Sequence, residues 1–425
     1  MAELFNIKKG DIISITGAGG KTSLMFYLAS ELKKSGTVLI ATTTKIFKPE
    51  SKENNSFIFI YPEEIDFLSP QDNFIHVFCS KIENNKICDT SFEQLDILKN
   101  YFDYVLIEAD GSSNKPLKGW YDNEPRIYPS TTKTIAIVDI TALKKEKNEN
   151  TIHRFELFQK QYFNPNKTIE KNDYIEYINS NKFFKNNLGE RILFFNKIES
   201  LEIFKEFFNI VNSLTFSSNI FFGSIFEKKF FLYKNITPII LASGFSKRFL
   251  GNKLIFKLKN GKSILEETLF NVSQLNFTEK IVVGKNSMYE SLSKKYGFIY
   301  ICNDKAELGQ SHSVILGTLG ASLSGYLFIP GDMPFLTQNT IIKLIYNFQV
   351  YDEIIVPFIG NEKKAPVLFP KRYRLALISL KGDSGGREIL KKERFIKCNF
   401  KNSIEFFDID TQEDLKKLET LEEQI

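Results

Sequence analysis

The chain has 425 residues, 43% of them hydrophobic and 25% charged, with a formal net charge of +5. That length exceeds what one hydrophobic core commonly serves, so two domains are expected, and the slight positive charge suits anionic small molecules while being too weak to argue for a nucleic-acid partner. No apolar stretch reaches the ~20 residues of a membrane-spanning helix, and the opening Met-Ala-Glu-Leu-Phe-Asn-Ile-Lys-Lys lacks a signal-peptide core, so a cytoplasmic protein without a membrane partner is expected.

In chain order, the first apolar run, residues 12–16, reads as a strand; Gly17-Ala-Gly-Gly-Lys-Thr-Ser23 follows it, and residues 24–34 read as a helix closing near Gly36. Strand, glycine turn and helix N-terminus make a phosphate-binding loop, in which Gly17, Gly19 and Gly20 let backbone N–H groups approach an anion and Lys21 and Thr22 engage a nucleotide. Ile15 stands where the standard motif has its first glycine, so the loop has the shorter Gly-x-x-Gly-Lys-Thr form of Mur-ligase-like ATP-binding loops. The alternative is a glycine turn kept only for packing.

A second strand, residues 38–41, leads into Thr42-Thr-Thr-Lys-Ile46, whose hydroxyls either touch phosphate or magnesium or are ordinary β-branched strand residues. Tyr104-Val-Leu-Ile-Glu-Ala-Asp-Gly111 ends a strand in Glu108 and Asp110, alternate residues on one face, as a metal-binding and water-activating pair would be; Asp110 is the candidate metal ligand. Ser112, Lys115, Lys118, Glu124 and Pro125 read as a polar loop that could meet a substrate. Residues 143–190, rich in Lys, Asn, Glu and aromatics, read as a helical insertion with solvated charge runs. Asn196-Lys197 ends another strand and is similar to the base-reading Asn-Lys of GTPases, with Glu199 in place of the usual Asp. Gly-Ala-Gly-Gly-Lys-Thr, Thr-Thr-Thr-Lys-Ile, Glu-Ala-Asp-Gly-Ser and His153-Arg154 together resemble the YqeC-like family of selenium-dependent hydroxylase accessory proteins over residues 5–230. The resemblance implies a P-loop-like α/β domain, residues 1–234, that binds ATP or GTP and serves the maturation of a molybdenum hydroxylase.

A polar turn near residues 231–237 marks the boundary, and residues 235–425 form the second domain. Residues 238–242, 280–283, 298–302, 325–330, 353–357 and 365–369 read as strands, with helices at 263–274, 311–321 and 340–348 between them, the alternation of a doubly wound α/β sheet. The first strand runs through Leu241, Ala242, Ser243 and Gly244 into a loop carrying Arg248 and Lys253, a cationic turn suited to a nucleoside triphosphate. The strand at 325–330 ends in Gly331 and Asp332, a carboxylate on the ligand side of such a sheet that could hold magnesium.

Leu241-Ala-Ser-Gly-Phe-Ser-Lys-Arg with Lys253, Gly331-Asp-Met-Pro-Phe, Ala365-Pro-Val-Leu-Phe369, Lys381-Gly-Asp-Ser-Gly-Gly-Arg387 and Asp408-Ile-Asp-Thr411 together resemble the molybdenum cofactor cytidylyltransferase family (MocA, related to MobA) over residues 236–425. The resemblance implies a Rossmann-like nucleotidyltransferase domain that transfers CMP from CTP to molybdopterin and releases pyrophosphate. Arg248, Lys253 and Asp332 would be catalytic, Mg2+ would sit on Asp332 and Asp410 with Asp408 as the substitute, and Leu241, Ala242, Ser243, Gly244 and Gly331 would bind nucleotide. Ser311, Pro366, Asp383 and Gly385 would bind substrate, with Ser311 as a plain helix cap the alternative. A molybdenum hydroxylase apoenzyme is the implied transient partner. Ser243 stands where cytidylyl enzymes show Ala and guanylyl enzymes Gly; Leu250 displaces the usual glycine to Gly251, and Gln412 replaces a Pro. Guanylyl transfer, transfer to a sugar or isoprenoid phosphate, and a non-catalytic ATP-dependent maturation factor remain the competing functions. The four cysteines, Cys79, Cys88, Cys302 and Cys398, and the three histidines, His76, His153 and His312, lack metal-ligand spacing, which argues for reduced thiols and against zinc.

Overall fold

Ile12–Gly17 is buried along its whole length, as a parallel strand covered on both faces must be. Its alternate residues part company. Ile13 and Ile15 join Leu24, Met25 and Leu28 on one side of a sheet, while Ile12 joins Leu39, Ala41, Ile107 and Tyr128 on the other. A computed structural model describes residues 1–49, 57–162, 164–216, 218–244, 252–407, 409 and 413–414. It divides into two units, Met1–Tyr233 and Lys234–Ile425.

Among the described residues, unit 1 is built on a nine-stranded sheet. Its strands in chain order are β1 (Ile12–Gly17), β2 (Val38–Thr42), β3 (Phe57–Ile60), β4 (Ile75–Phe78), β5 (Tyr104–Glu108), β6 (Lys133–Asp139), β7 (Glu190–Asn196), β8 (Asn219–Ser224) and β9 (Lys229–Leu232). Their spatial order is β9-β8-β7-β6-β1-β5-β2-β4-β3, parallel throughout except for β9 against β8. The chain places β2, β4 and β5 on one side of β1 and then crosses to β6, β7 and β8 on the other. Such a reversal opens a crevice at the carboxyl ends of the strands, and α1 (Lys21–Leu32) starts there. The fully buried Leu24, Met25 and Leu28 bind α1 to the sheet, each worth about 1.5–3 kcal/mol of apolar burial. The expected insertion at 143–190 holds the short helices Phe155–Gln161 and Lys171–Asn179. Its aromatics Phe158, Tyr177 and Phe183 are core, packing together and against Trp120.

Unit 2 has β10 (Ile236–Ala242), β11 (Ile281–Gly284), β12 (Ile299–Cys302), β13 (Gly325–Pro330), β14 (Ile354–Ile359), β15 (Val367–Pro370) and β16 (Phe395–Phe400). The order is β12-β11-β10-β13-β15-β14, with β16 and the short strand Glu362–Lys363 also on β14. The sheet is mixed. β10 through β13 are parallel, whereas β15 runs antiparallel to both β13 and β14. Ile239, Ile281, Val283, Tyr326 and Phe328 form the core on one face. No helix among the described residues is long and apolar enough to cross a membrane.

Candidate functional sites

In unit 1 the turn after β1 can be made only of small residues. Gly17 has φ +95°, and a Cβ there would lie 2.2 Å from the Ile137 carbonyl oxygen; at Gly19, φ +90°, it would lie 2.1 Å from Cβ of Asp139. The turn therefore nests against the end of β6 and delivers Gly20 to the start of α1, which has no side-chain cap, so its first N–H groups point into the crevice.

Lys21 does not extend into solvent. Its Nζ donates to the Gly17 carbonyl at 2.8 Å and to Ser112 Oγ at 3.0 Å, and lies 3.3 Å from Asp110 and 3.9 Å from Glu108. Thr22 Oγ1 donates to Glu108 Oε2 at 2.7 Å. Burial pushes the Glu108 carboxyl above its ordinary range, with Lys21 pulling the other way. Asp110 Oδ2 accepts from the Gly17 N–H at 3.0 Å and from Lys118 Nζ at 3.0 Å. The structure thus brings Gly17, Gly19, Gly20, Lys21, Thr22, Glu108 and Asp110 to one crevice and encloses Asp110 between two ammonium groups. The oxygens of Thr22 and Glu108 are the pair that suits a hard cation beside the turn.

One expectation is corrected. Lys118 and Glu124, read as part of a polar loop, are buried: the Lys118 side chain is 0% exposed and donates to Asp110, to the Gly111 carbonyl and to Glu124. Arg154 in turn pairs with Glu124 through both its terminal nitrogens. Burial pulls the Lys118 ammonium below its usual pKa, against the pull of Asp110. Of the threonines at the end of β2, Thr42 Oγ1 donates to the Glu108 carbonyl and Thr43 Oγ1 to that of Arg126.

Asp139, which the sequence reading did not single out, ends β6, is buried, and accepts from Lys197 Nζ at 2.5 Å and from the Thr141 N–H and hydroxyl. Asn196 Nδ2 donates to the Gly19 carbonyl at 2.9 Å, and its Oδ1 accepts from the Ile225 N–H at 3.0 Å. The Asn-Lys pair was the available signal for this side of the crevice.

In unit 2 the expected residues gather at one edge of the sheet. β10, β12 and β13 end there, and because β15 is antiparallel its beginning, next to Pro366, lies at the same edge. Lys253 Nζ lies 2.5 Å from Asp332 Oδ2 and donates to the Ile409 carbonyl at 2.7 Å. One ammonium therefore joins the segment after β10, the acid after β13 and the residue between Asp408 and Asp410. Arg248, Leu250, Gly251, Asp408, Asp410 and Gln412 lie outside the described residues. The Gly331 N–H donates to the Leu241 carbonyl at 2.9 Å. Ser243 is buried and donates its hydroxyl to the Val283 carbonyl at 3.2 Å. Ser311 is buried in the first turn of the helix Gln310–Gly320. A Cβ on Gly309 would lie 2.4 Å from Asp383 Oδ1, and one on Gly385 would lie 2.8 Å from Gln310 Oε1, so Ser311, Asp383 and Gly385 meet at the start of that helix. Among the described residues, no group of three or more His, Cys, Asp and Glu side chains forms a ready metal cage.

The sequence model of the YqeC protein family matches residues 13–156, and that of the MobA-like NTP transferase domain matches residues 238–397. The uncharacterized protein YqeC of Escherichia coli K12 is 32% identical over 205 residues, covering 46% of this chain and 79% of that protein. The chain belongs to the YqeC family. This YqeC-family chain is also similar to a probable molybdenum cofactor guanylyltransferase of Methanocaldococcus jannaschii, 26% identical over 122 residues, which cover 28% of this chain and 59% of that relative. The molybdopterin-guanine dinucleotide biosynthesis protein A of Archaeoglobus fulgidus aligns in three dimensions with 44% of the YqeC-family chain and 100% of its own, at 18% identity and a TM-score of 0.36.

Proposed function

We propose that unit 2 is a nucleotidyltransferase that moves CMP from CTP to the terminal phosphate of molybdopterin. The observation that carries this reading is Lys253, whose Nζ contacts both Asp332 and the Ile409 carbonyl at the edge where β10 and β13 end. A phosphate oxygen of the pterin attacks the α-phosphorus, a new P–O bond forms, and the bond to pyrophosphate breaks. The protein's share is alignment and charge. Lys253 and Arg248 would offset the charge that develops on the phosphates, and residues 241–244 with Gly331 would line the nucleotide. Ser311, Pro366, Asp383 and Gly385 would border the pterin. Asp332, an oxygen donor at this edge, fits a hard cation in company with Asp410; a magnesium ion there would neutralise charge on the α-phosphate.

A second reading, guanylyl transfer by the same residues, is favoured by the name of the Methanocaldococcus relative. Against it stands Ser243, a residue with a side chain at the end of β10, which would crowd a two-ring base more than glycine would. In unit 1, residues 17–22 would bind the phosphates of ATP or GTP, with Thr22 and Glu108 able to hold magnesium, in the service of a selenium-dependent molybdenum hydroxylase. That apoenzyme would be the partner receiving the finished cofactor.

The test is pyrophosphate release from each of the four nucleoside triphosphates with molybdopterin as acceptor. CTP is expected to support turnover, and Asp332→Asn to lower it by at least about 10²-fold with folding intact, as for loss of a charged group at the transition state. Near-normal turnover in that variant would remove Asp332 from the mechanism, and release from no nucleotide would remove the transferase reading.

A further inference from the structure

Glu199 is exposed, and an exposed carboxylate is ordinarily a solvated surface group. This one is held. Ser224, the last residue of β8, donates its hydroxyl to Glu199 Oε1 at 2.6 Å and accepts from the Glu227 N–H at 3.1 Å, and the neighbouring Ile198 N–H donates to the Gly223 carbonyl. The segment bearing Glu199 is thus fastened to the end of β8. Asn196 then fastens both to the turn after β1, through the Gly19 carbonyl and the Ile225 N–H. Lys197 is pinned to Asp139, against which Gly19 packs.

The sheet order sets direction. Glu108 and Asp110 approach the turn from β5, on one side of β1, whereas Asn196 and Ser224 end β7 and β8, and Glu199 follows β7, on the other. A nucleotide with its phosphates at residues 17–22 has its terminal phosphates beside the acids of β5, so its base extends toward the ends of β7 and β8, two or three strand spacings or about 10–15 Å away. There Glu199 is a carboxylate already oriented by a hydroxyl, whereas Asp139, at the end of β6, is taken up by Lys197 and Thr141. A carboxylate only accepts hydrogen bonds. Guanine presents N1–H and the N2 amino group side by side and can donate both to it. Adenine presents an acceptor at N1, which the carboxylate repels, and xanthine presents its O2 carbonyl where guanine has the amino group.

We propose that Glu199 selects guanine at the nucleotide site of unit 1, with Ser224 orienting the carboxylate and Asn196 setting its register to the phosphate turn; this rests on the reading of residues 17–22 as a phosphate site. The test is titration of the full chain with fluorescent N-methylanthraniloyl derivatives of GDP, ADP and xanthosine diphosphate, for the natural sequence and for Lys21→Ala, Glu199→Gln and Ser224→Ala. Binding that Lys21→Ala removes is assigned to unit 1, which sets aside any nucleotide held by unit 2. Within that component GDP is expected to bind at least about tenfold more tightly than ADP. Glu199→Gln should weaken GDP by about 10- to 100-fold, the loss of hydrogen bonds to a charged group, and strengthen the xanthine nucleotide, because the new amide donates to O2 while its oxygen still accepts from N1–H. That gain cannot come from misfolding. Ser224→Ala should weaken GDP by a smaller factor and leave the order of bases unchanged. Equal or tighter binding of ADP, or GDP and xanthosine diphosphate moving together in Glu199→Gln, would overturn the assignment while leaving the phosphate site standing. Absence of any component sensitive to Lys21→Ala would overturn the phosphate site and the assignment with it.

Discussion

Lys118 shows how one residue sets both stability and charge at the unit 1 crevice. Its ammonium is out of water and is tolerated because Asp110, the Gly111 carbonyl and Glu124 surround it; the same nitrogen sits 4.1 Å from the Trp120 ring centroid. Lys118→Met would leave Asp110 with Lys21 as its cation beside the Gly17 N–H and is expected to cost about 3 kcal/mol, the usual penalty for breaking a buried pair, measurable by urea denaturation. Close by, His153 is pulled down to about 4, chiefly by burial and then by the charges of Arg154, Lys118 and Lys115. Its ordinary value is about 6.5, so between these limits the unfolded chain binds the proton and the folded one does not. The contribution of His153 to stability is therefore whole above pH ~6.5 and is lost as the pH falls toward 4. Part of the ring meets solvent, which screens the effect. The thermal midpoint is expected to fall from pH 7 to pH 5, and His153→Gln to reduce that fall; an unchanged slope in the variant would refute the linkage.

At the scale of elements, the turn between β1 and α1 works because backbone replaces side chains. Gly19→Ala would force a Cβ toward Asp139 at φ +90°, costing about 1–2 kcal/mol for the backbone alone and more for the displaced acid. Loss of stability together with loss of nucleotide binding at unit 1 is the expected result, by calorimetry and by titration. This turn was legible in the sequence because glycines, a lysine and an apolar run are local signals. The same holds for the strands ending in Glu108 and Asp332. Lys118 was not legible: Ser-Asn-Lys-Pro-Leu-Lys has the letters of a solvated loop, and only the arrival of Asp110 and Glu124 makes burial affordable. Asp139 escaped notice because its partner, Lys197, is remote in sequence and carries no pattern linking the two. The reversal of β15 was equally silent, since an apolar run does not encode strand direction, yet that reversal is what brings Pro366 to the edge holding Asp332.

At the scale of the whole molecule, two α/β units each carry a lysine against a carboxylate at the carboxyl edge of a sheet, Lys21 with Asp110 and Lys253 with Asp332. The network around Lys21 closes within unit 1, and that around Lys253 joins residues of unit 2. Each site should therefore respond to its own substitutions. Lys21→Ala is expected to abolish binding at unit 1 while nucleotidyl transfer remains measurable; complete loss of transfer would show that the first site must be filled before the second can act. Base choice at unit 2 is expected to depend on Ser243. Its hydroxyl is donated to the Val283 carbonyl, so as the structure stands it has no proton to offer a base, and its influence is one of volume. A small side chain leaves room for one ring and crowds two, so kcat/KM for CTP should exceed that for GTP by at least about tenfold, within the 10- to 200-fold that a contact of this size supplies. Ser243→Gly should narrow the gap by opening that space. Equal or better use of GTP by the natural sequence would overturn the steric argument and leave guanylyl transfer as the activity of unit 2.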